Sequence, residues 1–216
     1  MTAHAPVPDY AAARQAMVDS QLRPQGVNDP SVIEAMSVVP REKFVPDELK
    51  PLAYIDRSIP LGEGRALTSS AVLGLLLTAL TPLRGERALI VGAATGYSAA
   101  VMAELGLEVV ALESSTELAA IARKNRAKPI EGPLQEGYPA KAPYDLILID
   151  GAVEYVPDAL IDQLVDGGRL GGAIVDKGIT RLFVGRKVGG GFGQISIADM
   201  ATPALPGFER PRVFTF

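Results

Sequence analysis

The sequence predicts an α/β fold: a Rossmann-like, mostly parallel, doubly wound sheet with an antiparallel C-terminal edge and an N-terminal helical addition. Three observations point there. Short apolar runs that suit strands buried on both faces alternate with amphipathic segments that suit helices. The stretch Arg87-Ala-Leu-Ile-Val-Gly-Ala-Ala-Thr-Gly-Tyr-Ser98 reads as strand, tight turn and helix. The last third changes character, with two strand-like runs flanking Gly189-Gly-Gly191 as in a hairpin. The 216 residues suit one compact unit, divided into a helical addition over 1–66 and a core over 67–216.

In chain order, Tyr10 to Leu22 reads as a helix with Ala13, Met17 and Leu22 apolar. Asn28-Asp-Pro30 starts a second, with Asp29 as cap and Val32, Ile33 and Met36 on its apolar face. Two prolines break the chain between Val38 and Pro46, and Leu52 to Gly64 reads as irregular. Thr68 suits the cap of a helix over Ser69 to Leu80 that is apolar nearly all round and therefore buried. Ala88–Val91 and Glu108–Leu112 are strands around a helix that begins at Tyr97. Ser115 to Asn125 is a helix with Leu118, Ala119 and Ile121 inward, and Lys128 to Glu131 a short strand. Tyr144 to Asp150 is a buried strand. Pro157 to Val165 reads as a helix with Leu160, Ile161 and Leu164 on one face, ended by Asp166-Gly-Gly168. Leu170–Val175, Arg181–Val188, Gly193–Ala198 and Arg212–Phe216 complete the strands, and Thr202-Pro-Ala-Leu-Pro-Gly207 is a loop near the sheet edge, over the cleft.

Composition narrows the chemistry. Hydrophobic residues make up 48% of the chain, net charge is -4, and no basic run stands out, so phosphate-driven nucleic-acid binding is not expected. With no cysteine and a single histidine, His4, disulfides, Cys-based zinc sites, thiol catalysis and a histidine base are excluded, and no metal site is expected. The longest apolar run, Ala71 to Leu77, is too short for a bilayer, and the N-terminus lacks a signal pattern; a soluble cytoplasmic protein is expected.

The turn after Val91 outlines a nucleoside-cofactor site. Glu113 follows Gly92 by 21 residues and belongs at the tip of the neighbouring strand, where it can accept both hydroxyls of a ribose. A dinucleotide fingerprint needs glycines at 94 and 97, where this chain has Ala94 and Tyr97. An NAD-linked oxidoreductase is further disfavoured by the lack of a Tyr-x-x-x-Lys pair. The spacing Gly92-x-Ala94-x-Gly96 is nearer the turn of S-adenosylmethionine (SAM) methyltransferases.

Several separated segments in one order then carry a family resemblance: Met17-Val-Asp-Ser-Gln-Leu-Arg23, Val39-Pro-Arg-Glu-Lys-Phe-Val-Pro46, Ala53-Tyr-Ile-Asp-Arg57, Ile59-Pro-Leu-Gly62, the Gly92 turn, Ala142-Pro-Tyr-Asp145 and Ala159-Leu-Ile-Asp-Gln-Leu164 leading to Gly167-Gly-Arg-Leu170. The chain resembles the protein-L-isoaspartate O-methyltransferase family. That resemblance implies the SAM methyltransferase form of the fold, SAM as cofactor with S-adenosylhomocysteine as product, and isoaspartyl carboxylates of damaged proteins as substrate, in a monomer or homodimer. It implies a catalytic hydroxyl at Thr68, cofactor contacts from Gly92, Ala93, Ala94, Gly96, Tyr97, Glu113, Ser114, Asp150 and Gly151, and substrate contacts from Tyr54, Arg57 and Thr68.

The chain departs from the family pattern at functional positions. Thr68 stands where the family has Ser, Ala66 where it has Thr, and Ser70 where it has Pro. Ile90 replaces an acid two residues before the first loop glycine, and Gly132-Pro-Leu134 replaces Gly-Asp-Gly, with Gln135 or Glu136 as substitutes for the lost Asp. Asp150-Gly151 replaces Thr-Ala; Asp150 can meet the SAM ammonium, repel a substrate carboxylate, or cap its own turn. A relative that binds a nucleoside or a protein partner without methyl transfer is the alternative.

Overall fold

The computed structural model describes residues 9–210. His4 and the strand expected over Arg212 to Phe216 lie outside the described residues.

The chain opens with α1 (Tyr10–Met17), capped by the Asp9 carboxylate, and continues through a π-helical turn over Val18–Leu22. Helix α2 (Pro30–Val38) starts as the sequence predicts, with Asp29 accepting from the Ser31 and Val32 amides and Pro30 in the first turn. Two 3-10 turns, Arg41–Phe44 and Asp47–Leu52, follow. The stretch read as irregular instead ends in an antiparallel hairpin, β1 (Ile59–Gly62) with β2 (Arg65–Leu67), turning at Glu63-Gly64. Ile59, Leu61 and Leu67 are buried, so tertiary packing holds strands too short to signal themselves.

Helix α3 (Ser70–Leu80) is buried on most of its surface, as expected of an all-round apolar helix. Its cap is Ser69, however, and not Thr68, whose hydroxyl points elsewhere. Strand β3 (Arg87–Val91), α4 (Tyr97–Glu104), β4 (Glu108–Glu113), α5 (Thr116–Lys124) and β5 (Ile130–Glu131) follow. In α5 the buried stripe is Leu118, Ala119 and Ala122, and Ile121 is 37% exposed. At 3.6 residues per turn, Ile121 lies about 100° round the helix from the centre of that stripe.

Strand β6 (Tyr144–Val153) precedes α6 (Asp158–Asp162) and β7 (Leu164–Asp176). Helix α6 is shorter than its apolar pattern suggests. Leu164 pairs with Tyr144 in the sheet, so Asp166-Gly-Gly168 lies within a strand rather than ending a helix. The Gln163 side chain holds the helix end by bonding Glu136, Ala159 and Tyr138 backbone groups. Strands β8 (Ile179–Val188) and β9 (Gly191–Asp199) form the expected antiparallel hairpin.

The main sheet has seven strands in the order β5-β4-β3-β6-β7-β8-β9, parallel through β7 and antiparallel beyond it. The order reverses between β3 and β6, which makes the carboxyl ends of those two strands the topological switch point. Alternation along β3 divides the core. Ala88 and Ile90 face the layer of α2, α3 and α4, and Leu89 and Val91 face α6 and the C-terminal loop. Among the described residues, no helix is long and apolar enough to cross a membrane.

Arg41 ties the N-terminal addition to this core. It is fully buried, its Nε donates to Ala53 O at 2.8 Å, and its Nη2 donates to Thr68 O at 2.6 Å. Its guanidinium lies 4.8 Å from the Tyr97 ring centroid. Arg41→Ala strands two buried carbonyls, so urea unfolding should show a loss of about 2–4 kcal/mol.

Candidate functional site

The site forms where β3, β4 and β6 end. Gly92 takes φ 83°, which opens the turn, and Gly96 takes φ 95° as the residue that enters α4. Between them Ala94 sits at φ 48°, a left-handed conformation costing an alanine on the order of 1 kcal/mol. Its amide compensates by donating to Glu113 Oε2 at 2.6 Å. Ala93 is buried beside it, and its amide bonds Leu112 O, stitching the turn to β4. The strained loop is therefore held by the acid at the tip of the next strand.

Glu113 is wholly buried and its bonding capacity is largely taken. Its Oε1 accepts from the Ser114 amide at 2.8 Å, the Ser115 amide at 3.0 Å and Arg65 Nη1 at 2.6 Å. With Ala94 on Oε2, four N–H groups meet a carboxylate that offers about four lone-pair sites. Arg65 arrives from β2 and is itself 5% exposed. Its Nη2 also donates to Gly92 O at 3.1 Å. The Glu63 carboxylate, at the hairpin tip, accepts from the Ser115 hydroxyl and pins the hairpin over the start of α5.

The C-terminal loop fills the space on the other side. Ala152 N donates to Pro203 O at 2.7 Å and Leu205 N to Ala152 O at 2.8 Å, so the loop runs beside β6 as a single parallel bridge. Leu205 is 5% exposed and lies on the two glycines of the site. A Cβ placed on Gly92 would come 2.9 Å from Leu205 Cδ2, and one on Gly151 would come 2.5 Å from Leu205 Cγ. The 202–207 loop lies against the Gly92 turn, but it bridges to β6, the fourth of the seven strands, rather than lying near the sheet edge.

On the β6 side, Thr68 Oγ1 donates to Asp150 Oδ1 at 2.8 Å. Burial pushes the Asp150 carboxyl above the usual carboxylate range, against the opposing pull of Ser98, Thr68, Arg65 and Arg41. Ser70 Oγ, Tyr97 Oη and Arg41 Nη1 are buried without a hydrogen-bond partner among the described residues. Tyr97 packs edge-on against Phe44 at 5.4 Å between centroids, and burial raises its phenol pKa. Ile90 is fully enclosed by the apolar core.

The remaining predicted residues separate. The Tyr54 hydroxyl donates to Glu42 Oε2 at 2.5 Å and accepts from Arg14 Nε at 2.8 Å and the Arg41 amide at 3.2 Å, all within the N-terminal addition. Arg57 is exposed on the segment leading to β1. Gln135 donates to Gly207 O and so binds the C-terminal loop. Arg65 and Leu205 were not singled out from the sequence. The one signal for Arg65 is a cation directly after the Gly62-Glu-Gly64 turn and ahead of the apolar Ala66-Leu67.

A nucleoside cofactor does not fit this conformation. The turn and the acid are in their expected places, but the acid is bonded to Arg65 and Leu205 lies on both glycines.

Asp150→Asn tests the electrostatics. An acid with a raised folded-state pKa ionises first in the unfolded chain, whose Asp titrates near ~3.9. Stability is therefore lost as pH rises from there through the folded pKa. The variant should melt about 2–4 °C above the parent at pH 7.5, a shift of the size expected for ~1 kcal/mol in a domain this large, and the gain should vanish near pH 4.

Comparison with known proteins identifies the family and the fold. The profile of the family described as Protein-L-isoaspartate(D-aspartate) O-methyltransferase matches residues 12–191. A Protein-L-isoaspartate O-methyltransferase 2 from Marinobacter nauticus is 43% identical over 171 residues, covering 75% of this chain and 77% of that one. A Protein-L-isoaspartate O-methyltransferase from Koribacter versatilis is 34% identical over 206 residues, covering 92% and 93%. A Plasmodium falciparum structure, described as a candidate enzyme of this kind in complex with S-adenosyl-L-homocysteine, superposes with TM-score 0.77 at 21% identity, covering 89% of this chain and 97% of that one, and supports the fold.

Proposed function

The chain belongs to the protein-L-isoaspartate O-methyltransferase family, and on that premise we propose that it is a SAM-dependent methyltransferase acting on the carboxylate of isoaspartyl residues in proteins. The observation that carries this reading beyond family membership is the Thr68–Asp150 hydrogen bond at the switch point of the sheet. It keeps a hydroxyl at the carboxyl end of β6, at the position the resemblance assigns to the family serine.

An acceptor carboxylate is already a nucleophile at neutral pH, so the protein's main task is alignment. Thr68 is assigned to positioning that carboxylate. Burial disfavours the charged form of Asp150, which lessens its repulsion of an incoming anion. Arg57 is assigned to the substrate side because it is exposed, whereas the Tyr54 hydroxyl is engaged by Arg14, Arg41 and Glu42. Gly92, Ala93, Ala94, Gly96 and Tyr97, with Glu113-Ser114 and Asp150-Gly151, are assigned to the cofactor side once the cleft is clear.

One observation favours a second reading, a family member that has given up methyl transfer: Glu113 is bonded to Arg65 instead of being open to a ribose. Transfer of labelled methyl from SAM to an isoaspartyl peptide, with the aspartyl peptide as control, decides between them. The first reading expects transfer to the isoaspartyl peptide only. It expects Thr68→Val to lower kcat about 10–100-fold with S-adenosylhomocysteine affinity unchanged. Absence of transfer, with no calorimetric binding of S-adenosylhomocysteine at millimolar concentration, supports the second.

A further inference from the structure

Arg65 and Leu205 reach the same place from distant parts of the chain. Arg65 comes from the β1–β2 hairpin, and Leu205 from the loop that bridges to Ala152. Each occupies what a nucleoside ligand would need. A ribose presents O–H donors to an acid at a strand tip, and the Arg65 guanidinium presents N–H donors to Glu113 at 2.6 Å. The turn glycines leave their Cα atoms bare for close approach, and Leu205 makes that approach at both Gly92 and Gly151.

Both segments are secured at a second point. The hairpin tip is tied through Glu63 to Ser115. The loop is tied beyond Leu205, where Glu154 N donates to Phe208 O and Arg210 N donates to the Glu154 carboxylate at 2.7 Å. Phe208 is 1% exposed and packs near Tyr155. The closed arrangement is thus a built one, with a buried ion pair at Arg65 on one side of the turn and apolar burial of Leu205 and Phe208 on the other.

We propose that the chain gates its own cofactor site: seating of Arg65 on Glu113 with Leu205 on Gly92 and Gly151 excludes the adenosyl cofactor, and binding of the cofactor expels both. This rests on the methyltransferase reading and adds to it two specificity-determining residues and a conformational step. Apparent affinity for the cofactor is then reduced by the fraction of molecules that stand open. Weakening either seat raises that fraction.

The test is calorimetric titration of the full chain, Arg65→Ala and Leu205→Ala with S-adenosylhomocysteine. Hydrogen exchange at the Ala152 and Leu205 amides is followed alongside. Each variant should bind about tenfold tighter than the parent, or ~1.4 kcal/mol. Saturating ligand should speed exchange at both amides in the parent. The two changes lie on separate segments, so failure of one variant to fold leaves the other as the test. Equal affinity in all three proteins, or both amides still protected at saturation, overturns the gate and leaves the methyltransferase reading standing. Absence of binding in every protein overturns both. Tighter binding in the variants without methyl transfer upholds the gate and overturns only the transfer reading.

Discussion

The buried ion pair between Arg65 and Glu113 is the interaction on which the arrangement of the site depends. Glu113 holds Ala94 in a left-handed conformation and receives the first amides after β4. Arg65 draws the β1–β2 hairpin down onto β3 and β4 through the same carboxylate and through Gly92 O. Removing either partner of such a pair leaves an uncompensated buried charge, at a cost of about 3–5 kcal/mol. A ligand that claims Glu113 must therefore provide donors of its own and let the guanidinium reach solvent.

Residues that look unrelated in the sequence meet in this frame. Ile90 adds to the apolar core below the turn. Asp150 puts a carboxyl at the end of the neighbouring strand, bonded to Thr68 and close enough to Arg65 and Arg41 to feel their charge. Gln135 binds the C-terminal loop that carries Leu205. The segments around the site close over the turn.

Much of the fold was legible because β3, β4 and β6 carry continuous apolar runs and α3 is apolar all round; such segments state their burial locally. The β1–β2 hairpin was not, since strands of four and three residues are held by packing of Ile59, Leu61 and Leu67 that no local pattern records. Helix α6 was read too long because Leu164 fits both a helical stripe and a strand, and pairing with Tyr144 settles it. The Gly92 turn and Glu113 were found by spacing. Arg65 was not, because Glu113 lies 48 residues further along the chain and nothing near either residue signals the other. The role of Thr68 was ambiguous for a related reason: a hydroxyl before a helix suits a cap, and Ser69 next to it takes that place.

The most direct test is a crystal structure of the full chain grown with S-adenosylhomocysteine. The account predicts the ligand at the Gly92 turn with its ribose on Glu113, Arg65 withdrawn from that carboxylate, and Leu205 lifted from Gly92 and Gly151. Ligand bound at the turn with Arg65 still on Glu113 and Leu205 still seated would contradict it.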